Sequence, residues 1–496
     1  MSAAQDKTEE MSLILAAEEC PPERFDEIHT FSSHDKRILR KLLAHGPVLL
    51  QGGRGSGKSA MMIAASRQMA PVSEESQVLG LYVSLRYVPL LQATGADYER
   101  LFCEWVSSRI QRILQPAQDF PDAADVRELR NELTELASQT DKRIVLLFDD
   151  AAHVGRETSL GGFFDIFRTL SSDVISCKAA IYPGVTEFGT RFDIYNDATV
   201  TDVMRSPEQP GFGELFSQIM SARYPVLTAD RITGFDLPRL ANFVGAAVLG
   251  NVRGFLFACN YLLERANDDV SIGYNAVGDT LLRLAADYYW PLLEEVKPKL
   301  GRYVPAVDAA QDIAEALFGS CASTGAQSVV VHRRLVARYS KPFEILEYAG
   351  FIARREASRS MKSGGRGPRY AVNTCNLFER TSGTRLTAKV FDDWLKRLAH
   401  PVEIHERGSH FDSIAPPMPD EEAELAVFAL KVEQLAKSKA YPYGLTPAKI
   451  DSLRAAGIIN VGELAALSDD QLLGIDGIGA ATVERVKSVV GQAIWM

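Results

Sequence analysis

Pro47-Val48-Leu49-Leu50-Gln51-Gly52-Gly53-Arg54-Gly55-Ser56-Gly57-Lys58-Ser59 is the stretch on which the reading of this chain turns. Its first five residues read as a short apolar strand. Ala60 to Met69, with Met61, Met62, Ala65 and Met69, reads as a helix. Between them, Gly52 to Ser59 matches GxxxxGK[ST] in full. Glycines let successive backbone N–H groups turn inward around phosphate oxygens, and the start of a helix adds partial positive charge. Lys58 is then placed to bridge β and γ phosphates, and the Ser59 hydroxyl to ligate Mg²⁺. Gly52, Gly53, Arg54, Gly55, Ser56, Gly57, Lys58 and Ser59 are therefore the expected cradle for ATP, with Mg²⁺ as its companion.

A second stretch completes that site. Arg143-Ile144-Val145-Leu146-Leu147-Phe148-Asp149-Asp150 is continuously apolar until its last two residues. A run of this kind reads as a strand of a parallel sheet covered on both faces. Carboxylates at the buried end of such a strand are costly unless a cation meets them. Asp149 is thus expected to hold Mg²⁺, and Asp150 to face the γ-phosphate and orient water. Val78 to Val83, Ala179 to Tyr182 and Ala198 to Val200 read as further strands, with helices over Asp97 to Leu114 and Ala124 to Ala137. The alternation predicts an α/β core, a parallel sheet wrapped by helices.

Composition sets the outer bounds. The chain has 496 residues, 46% apolar and 24% charged, an ordinary globular balance at a length that predicts three or four domains. The opening MSAAQDKTEE lacks the basic and apolar regions of a secretory signal, and no apolar run is long enough for a membrane helix. Six scattered cysteines form no CxxC pair, and eight histidines show no ligand spacing. They read as the reduced thiols of a cytoplasmic protein. The net charge of −10 confines any nucleic-acid surface to a local basic patch.

From about Phe31 to Ala266 the chain resembles the AAA+ ATPases, especially the origin-recognition and replication-initiator branch. Ser32-Ser33-His34-Asp35 with Leu39 to Leu43 is similar to the helix that precedes the phosphate loop in that family. Gly250-Asn251-Val252-Arg253-Gly254, within a helical lid from Leu237 to Ala266, is similar to its second sensor motif. The resemblance implies that Arg253 touches the γ-phosphate and reports hydrolysis to the lid. Asp149-Asp150 departs from the Asp-Glu usual in the initiator branch and is similar to signalling NTPases that act as switches. A slower hydrolysis is expected. Thr186 stands where a first sensor is sought, and Arg191 and Arg205 are candidates for a finger reaching a neighbouring subunit.

The C-terminal half changes grammar. Val331 to Tyr339 and Pro342 to Phe351 read as helices. Ile352 to Arg355, a turn-rich stretch from Ser360 to Pro368 and Tyr370 to Val372 then read as a β-hairpin. This order resembles the winged helix that follows the lid in initiator ATPases. Arg354, Arg355, Arg359, Lys362, Arg366 and Arg369 make it a local basic patch, the footprint expected for phosphate contacts with double-stranded DNA. A linker is expected around Pro416-Pro417-Met418-Pro419, followed by a helix from Ala423 to Lys437. Tyr441 to Met496 resembles helix-hairpin-helix domains and the C-terminal domain of the RNA polymerase α subunit. By that resemblance Gly477 and Gly479 form the hairpin, with Arg485 and Lys487 near a DNA phosphate.

The expected order is an N-terminal extension (1–30), an AAA+ core (31–205), a helical lid (206–300), a winged helix (301–400), a linker (401–440) and a helix-hairpin-helix (441–496). The function expected is that of an ATPase whose nucleotide state controls DNA engagement. The alternative is a signalling switch whose C-terminal modules bind protein partners, or further copies of the chain.

Overall fold

The computed structural model describes residues 11, 14–69, 76–86, 90, 93–116, 118–152, 157–184, 188–189, 191–267, 270–362, 364–381, 383, 385–397, 399–418, 426–438, 441 and 444–495. The first sheet holds β1 (Val48–Gln51), β2 (Val78–Ser84), β3 (Arg143–Ala152), β4 (Ile175–Ile181) and β5 (Thr199–Asp202). All of its pairings are parallel, in the order β2-β3-β4-β1-β5. The apolar run in β3 is divided between two faces. Ile144, Leu146 and Phe148 pack under the helices Gly95–Leu114, Val126–Thr140 and Glu157–Leu170. Val145 and Leu147 pack against Ser33–Leu43 and Lys58–Gln68. A period of two with both faces covered removes the polar alternation that a one-sided sheet would show.

Helices Phe212–Arg223, Leu237–Ala247, Val252–Asn267, Tyr274–Leu284 and Val304–Thr324 lead to a second sheet. Its strands are β6 (Ser328–Val331), β7 (Ile352–Ser360), β8 (Arg366–Val372) and β9 (Val402–Ile404), in the order β7-β8-β6-β9. β7, β8 and β6 pair antiparallel, while β9 joins β6 in parallel. Helices Arg333–Arg338 and Ser340–Ala349 lie between β6 and β7. One hydrophobic core runs through these helices and this sheet, from Tyr182 to Ile414. Residues 427–494 close a separate core around Leu453, Val461, Val486 and Ile494.

Several expectations need correction. The segment read as one helix from Val331 begins as β6, because three consecutive valines pair between two neighbours and only Arg333–Arg338 turns helical. The hairpin strands run further than expected, leaving residues 361–362 and 364–365 at the tip. The expected linker start at 401 is also displaced. Val402–Ile404 is a strand, and Phe411 and Ile414 are buried in the large core, where Tyr339 donates to the Ile414 carbonyl. The helix expected over Ala423 to Lys437 is instead two 3-10 turns, Ala426–Ala429 and Val432–Leu435. Val427, Val432 and Leu435 belong to the last core. The six cysteines are all free and buried. Among the described residues, no helix is long and apolar enough to cross a membrane.

Gly367 was read as part of a turn, but it lies within β8 for another reason. A Cβ there would stand 1.7 Å from the Val331 carbonyl oxygen, which is backbone and cannot swing aside. Gly367→Ala should therefore destabilise the chain by about 1–3 kcal/mol or more, the usual cost of overpacking. Urea unfolding followed by circular dichroism checks this, with Gly319→Ala, where a Cβ meets open space in ordinary helical backbone, as the control.

Candidate nucleotide site

The loop between β1 and Lys58–Gln68 takes the conformation its glycines permit. Gly55 and Gly57 have φ of 76° and 93°, in the left-handed region that side chains rarely adopt. The Lys58 ammonium is buried, donates to the carbonyls of Gly52 at 2.7 Å and Gly53 at 3.2 Å, and lies 3.8 Å from the centre of the Tyr182 ring. Burial pushes its pKa below the usual lysine range, with Asp149 and Asp150 opposing the shift.

Asp149 and Asp150 sit across from the loop, both buried. Asp149 accepts hydrogen bonds from Ser59 and, at 2.8 Å, from the Tyr82 hydroxyl. Burial chiefly, then the Asp150 and Glu18 charges, raise its pKa. Such a carboxyl is one that a cation would favour in its charged form. Asp150 stands where the pairing of β3 with β4 slips, and its φ is 54°. Left-handed backbone in a residue with a side chain costs about 1–3 kcal/mol, and such strain gathers at functional sites. The Asp150 carboxylate meets Arg86 at 2.7 Å. Carboxylate oxygens of Glu18, Asp149 and Asp150 lie within 4.8 Å of one another. With the Ser59 hydroxyl beside Asp149, this is an oxygen set of the kind Mg²⁺ takes.

Three elements hold the loop from outside. The backbone N–H of Arg253 donates to the Gly55 carbonyl at 3.1 Å, and the Asn251 side-chain amide donates to the Arg54 carbonyl. From the second sheet's helix, the Tyr348 carbonyl accepts the Arg54 N–H at 3.0 Å. Arg205, at the end of β5, donates to the Ser56 carbonyl at 2.6 Å and pairs with Asp35 at 3.0 Å, both side chains being buried. Arg253 lines the same pocket as Arg54, Lys58, Arg86 and Arg205. Among the described residues, the Ser56 hydroxyl, one Arg54 Nη and the Arg253 Nε are buried without a hydrogen-bond partner. A cradle of backbone amides and cations with polar atoms unsatisfied fits a polyphosphate.

Sequence reasoning brought together Lys58, Ser59, Asp149, Asp150 and Arg253, and the fold does the same. It missed Tyr82, Arg86 and Glu18, which no spacing links to the loop. Arg205, considered for a neighbouring subunit, is buried within this one, whereas Arg191 is exposed. Thr186 lies outside the described residues.

The basic hairpin divides. Arg355 turns inward to the carbonyls of Arg205 at 2.9 Å and Leu249 at 3.3 Å, away from the exposed face of the hairpin. Arg369 is likewise turned in, held by Glu356 at 2.6 Å and Glu208 at 2.8 Å. Arg354 pairs with Glu347 at 2.9 Å, and Arg359 with Glu356 at 3.0 Å. Lys362 and Arg366 stand exposed at and beside the tip. In the last core, Gly477 has φ of 81° and Gly479 lies in open space ahead of the helix Ala480–Trp495. Arg485 is exposed there, while Lys487 pairs with Asp469.

No protein-family model matches the chain, and no curated protein matches it. Solved structures do. Cdc6p from Pyrobaculum aerophilum is similar at 12% identity and a TM-score of 0.34, over 78% of this chain and 98% of that one. The Orc1 protein of Aeropyrum pernix, solved in complex with DNA, is similar at 14% identity and a TM-score of 0.34, over 78% and 95%. A Walker-type ATPase of Pyrococcus abyssi is similar at 13% identity and a TM-score of 0.42, over 76% and 99%. Superpositions this loose leave function to be argued from the site.

The Asp35–Arg205 pair supplies a direct check on how the loop is held. Arg205→Ala or Asp35→Ala leaves one buried charge alone, which costs about 3–5 kcal/mol. A double-mutant cycle by denaturant unfolding should give the double variant a smaller loss than the two singles summed.

Proposed function

We propose that the chain is an ATPase of the AAA+ type that works as a nucleotide-dependent switch on DNA. The observation that carries the ATPase reading is the meeting of Lys58 and Ser59 with Asp149 and Asp150 across a pocket also lined by Arg253. The all-parallel sheet and its strand order agree with it. The backbone N–H groups of Gly53 to Ser59 and the Lys58 ammonium would bind the phosphates. Ser59 and Asp149 would hold Mg²⁺, which when bound neutralises phosphate charge. Asp150 would take up a proton from water and Arg253 would carry the nucleotide state to the lid. Asp150 must first leave Arg86, a reason for turnover to be slow.

Lys58→Ala should abolish ATP binding, while Asp150→Asn should keep it and slow hydrolysis by about 10²–10⁴-fold, the usual loss of a general base. Isothermal titration and phosphate release measure the two. Undiminished ATP affinity in Lys58→Ala would remove the assignment.

The DNA reading rests on the antiparallel hairpin with a glycine-rich tip after two helices, which we take as a winged helix. The glycine turn before Ala480–Trp495, taken as a helix-hairpin-helix, adds a second contact. Lys362, Arg366 and Arg485 are the cations we assign to backbone phosphates. Each lost contact releases one fewer counterion, so Lys362→Ala with Arg366→Ala should flatten the slope of log affinity against log salt by about 1.8. A second reading is favoured by the pairing of Arg354, Arg359 and Arg369 with acids of their own chain. It makes these modules docking surfaces for protein partners, and it prevails if the chain binds no duplex at low salt.

A further inference from the structure

A second cavity, of 250 Å³, opens between the loop after β5 and the second sheet, apart from the nucleotide loop. A water in the bulk liquid has a share of about 30 Å³, so the cavity exceeds the needs of a bridging solvent molecule. Four guanidinium groups line it. Arg355 and Arg359 come from β7, Arg369 from β8, and Arg397 from the residue ending the helix Ala388–Lys396. Two carboxylates answer them. Glu356 serves Arg359 and Arg369, and Glu208 serves Arg369 again.

Arg355 and Arg397 are left without a carboxylate. Arg355 donates only to the two backbone carbonyls already described. Among the described residues, the Arg397 guanidinium has neither an ion pair nor a hydrogen bond. Burial above all pushes both groups down to about 10, the nearby guanidinium charges adding to it while Glu208, and for Arg355 also Asp202, oppose. Both remain cations at neutral pH, held at a cavity wall where neither has a carboxylate in ion-pair contact. The backbone points the same way. Arg397 has φ of 51°, a conformation in which glycine is the unstrained choice, yet a long cation occupies it.

We propose that this cavity binds a phosphate group, gripped by Arg355 and Arg397 with Arg369 forming the wall. Planar guanidinium forks match phosphate oxygens two at a time, and a partly buried fork loses little by being fixed. The phosphate belongs either to a small free anion or to the terminal phosphate of a nucleic-acid strand, which share this chemistry. The site also has a route to the nucleotide loop. Arg355 donates to the carbonyl of Arg205, whose own guanidinium holds the Ser56 carbonyl. Its occupancy does not depend on the nucleotide reading, since no loop residue lines it.

The test is thermal unfolding of the full chain at constant ionic strength, with chloride exchanged for inorganic phosphate, in saturating ADP and Mg²⁺. Arg397→Gly removes the cation where glycine relieves strain, and Arg397→Asn is the second choice that tolerates the same backbone. Phosphate should raise the parent midpoint by several degrees and leave both variants unmoved, while any shift caused by ADP stays equal in all three. The absence of a phosphate shift in the parent, or an equal shift in the variants, overturns the proposal. A second arm compares 5′-phosphorylated with 5′-hydroxyl oligonucleotides. Tighter binding of the phosphorylated strand, lost in Arg397→Gly, supports the site with a strand end as its ligand. Equal binding of the two strands with the phosphate shift retained supports it with a free anion.

Discussion

The lid, the second sheet's helix and the segment after β5 meet on a short loop of backbone held from three sides. Residues 54–56 engage the lid at Asn251 and Arg253, the second sheet's helix at Tyr348, and Arg205 just after β5 through their backbone carbonyls and an amide. None of these partners is close to the loop in sequence. A rearrangement of the loop around phosphate therefore disturbs three elements together. That is the physical basis on which a local binding event becomes a change between layers, because packed interfaces switch between arrangements rather than stretch.

The acidic side of the pocket contributes a second constraint. The pairing of β3 with β4 slips between Phe148 and Ala152, and Asp150 is held there in left-handed backbone. A regular strand would point Asp149 and Asp150 to opposite faces. The irregularity brings both carboxylates to one pocket, at a strain offset by Arg86. In the base role proposed for Asp150 the same guanidinium charge would have to be displaced first, so the feature that gathers the acids would also restrain them.

Much of this was legible in the chain. The phosphate loop announces itself through glycine spacing, and β3 through an unbroken apolar run whose end is acidic, since each signal is local. The arginines that matter as much were not legible. Arg86 and Arg205 reach the site only because β2 and β5, at opposite edges of the parallel sheet, both end on the side where the phosphate loop lies, a fact of topology. Val331 reads as a helix start, and β6 goes unseen, because a four-residue strand between two partners has no period of its own. The hairpin misled in another way. Its excess of cations counted residues, and the fold pairs several of them with Glu347, Glu356 and Glu208 from other elements.

The central claim is that one loop couples the lid and the second sheet to nucleotide. Hydrogen–deuterium exchange of the full chain with and without ATP and Mg²⁺ tests it most directly. The phosphate loop, residues 250–258 and residues 345–356 should gain protection together, and all three should stay unchanged in Lys58→Ala. Protection confined to the phosphate loop, with the lid and the second sheet unmoved, would contradict it.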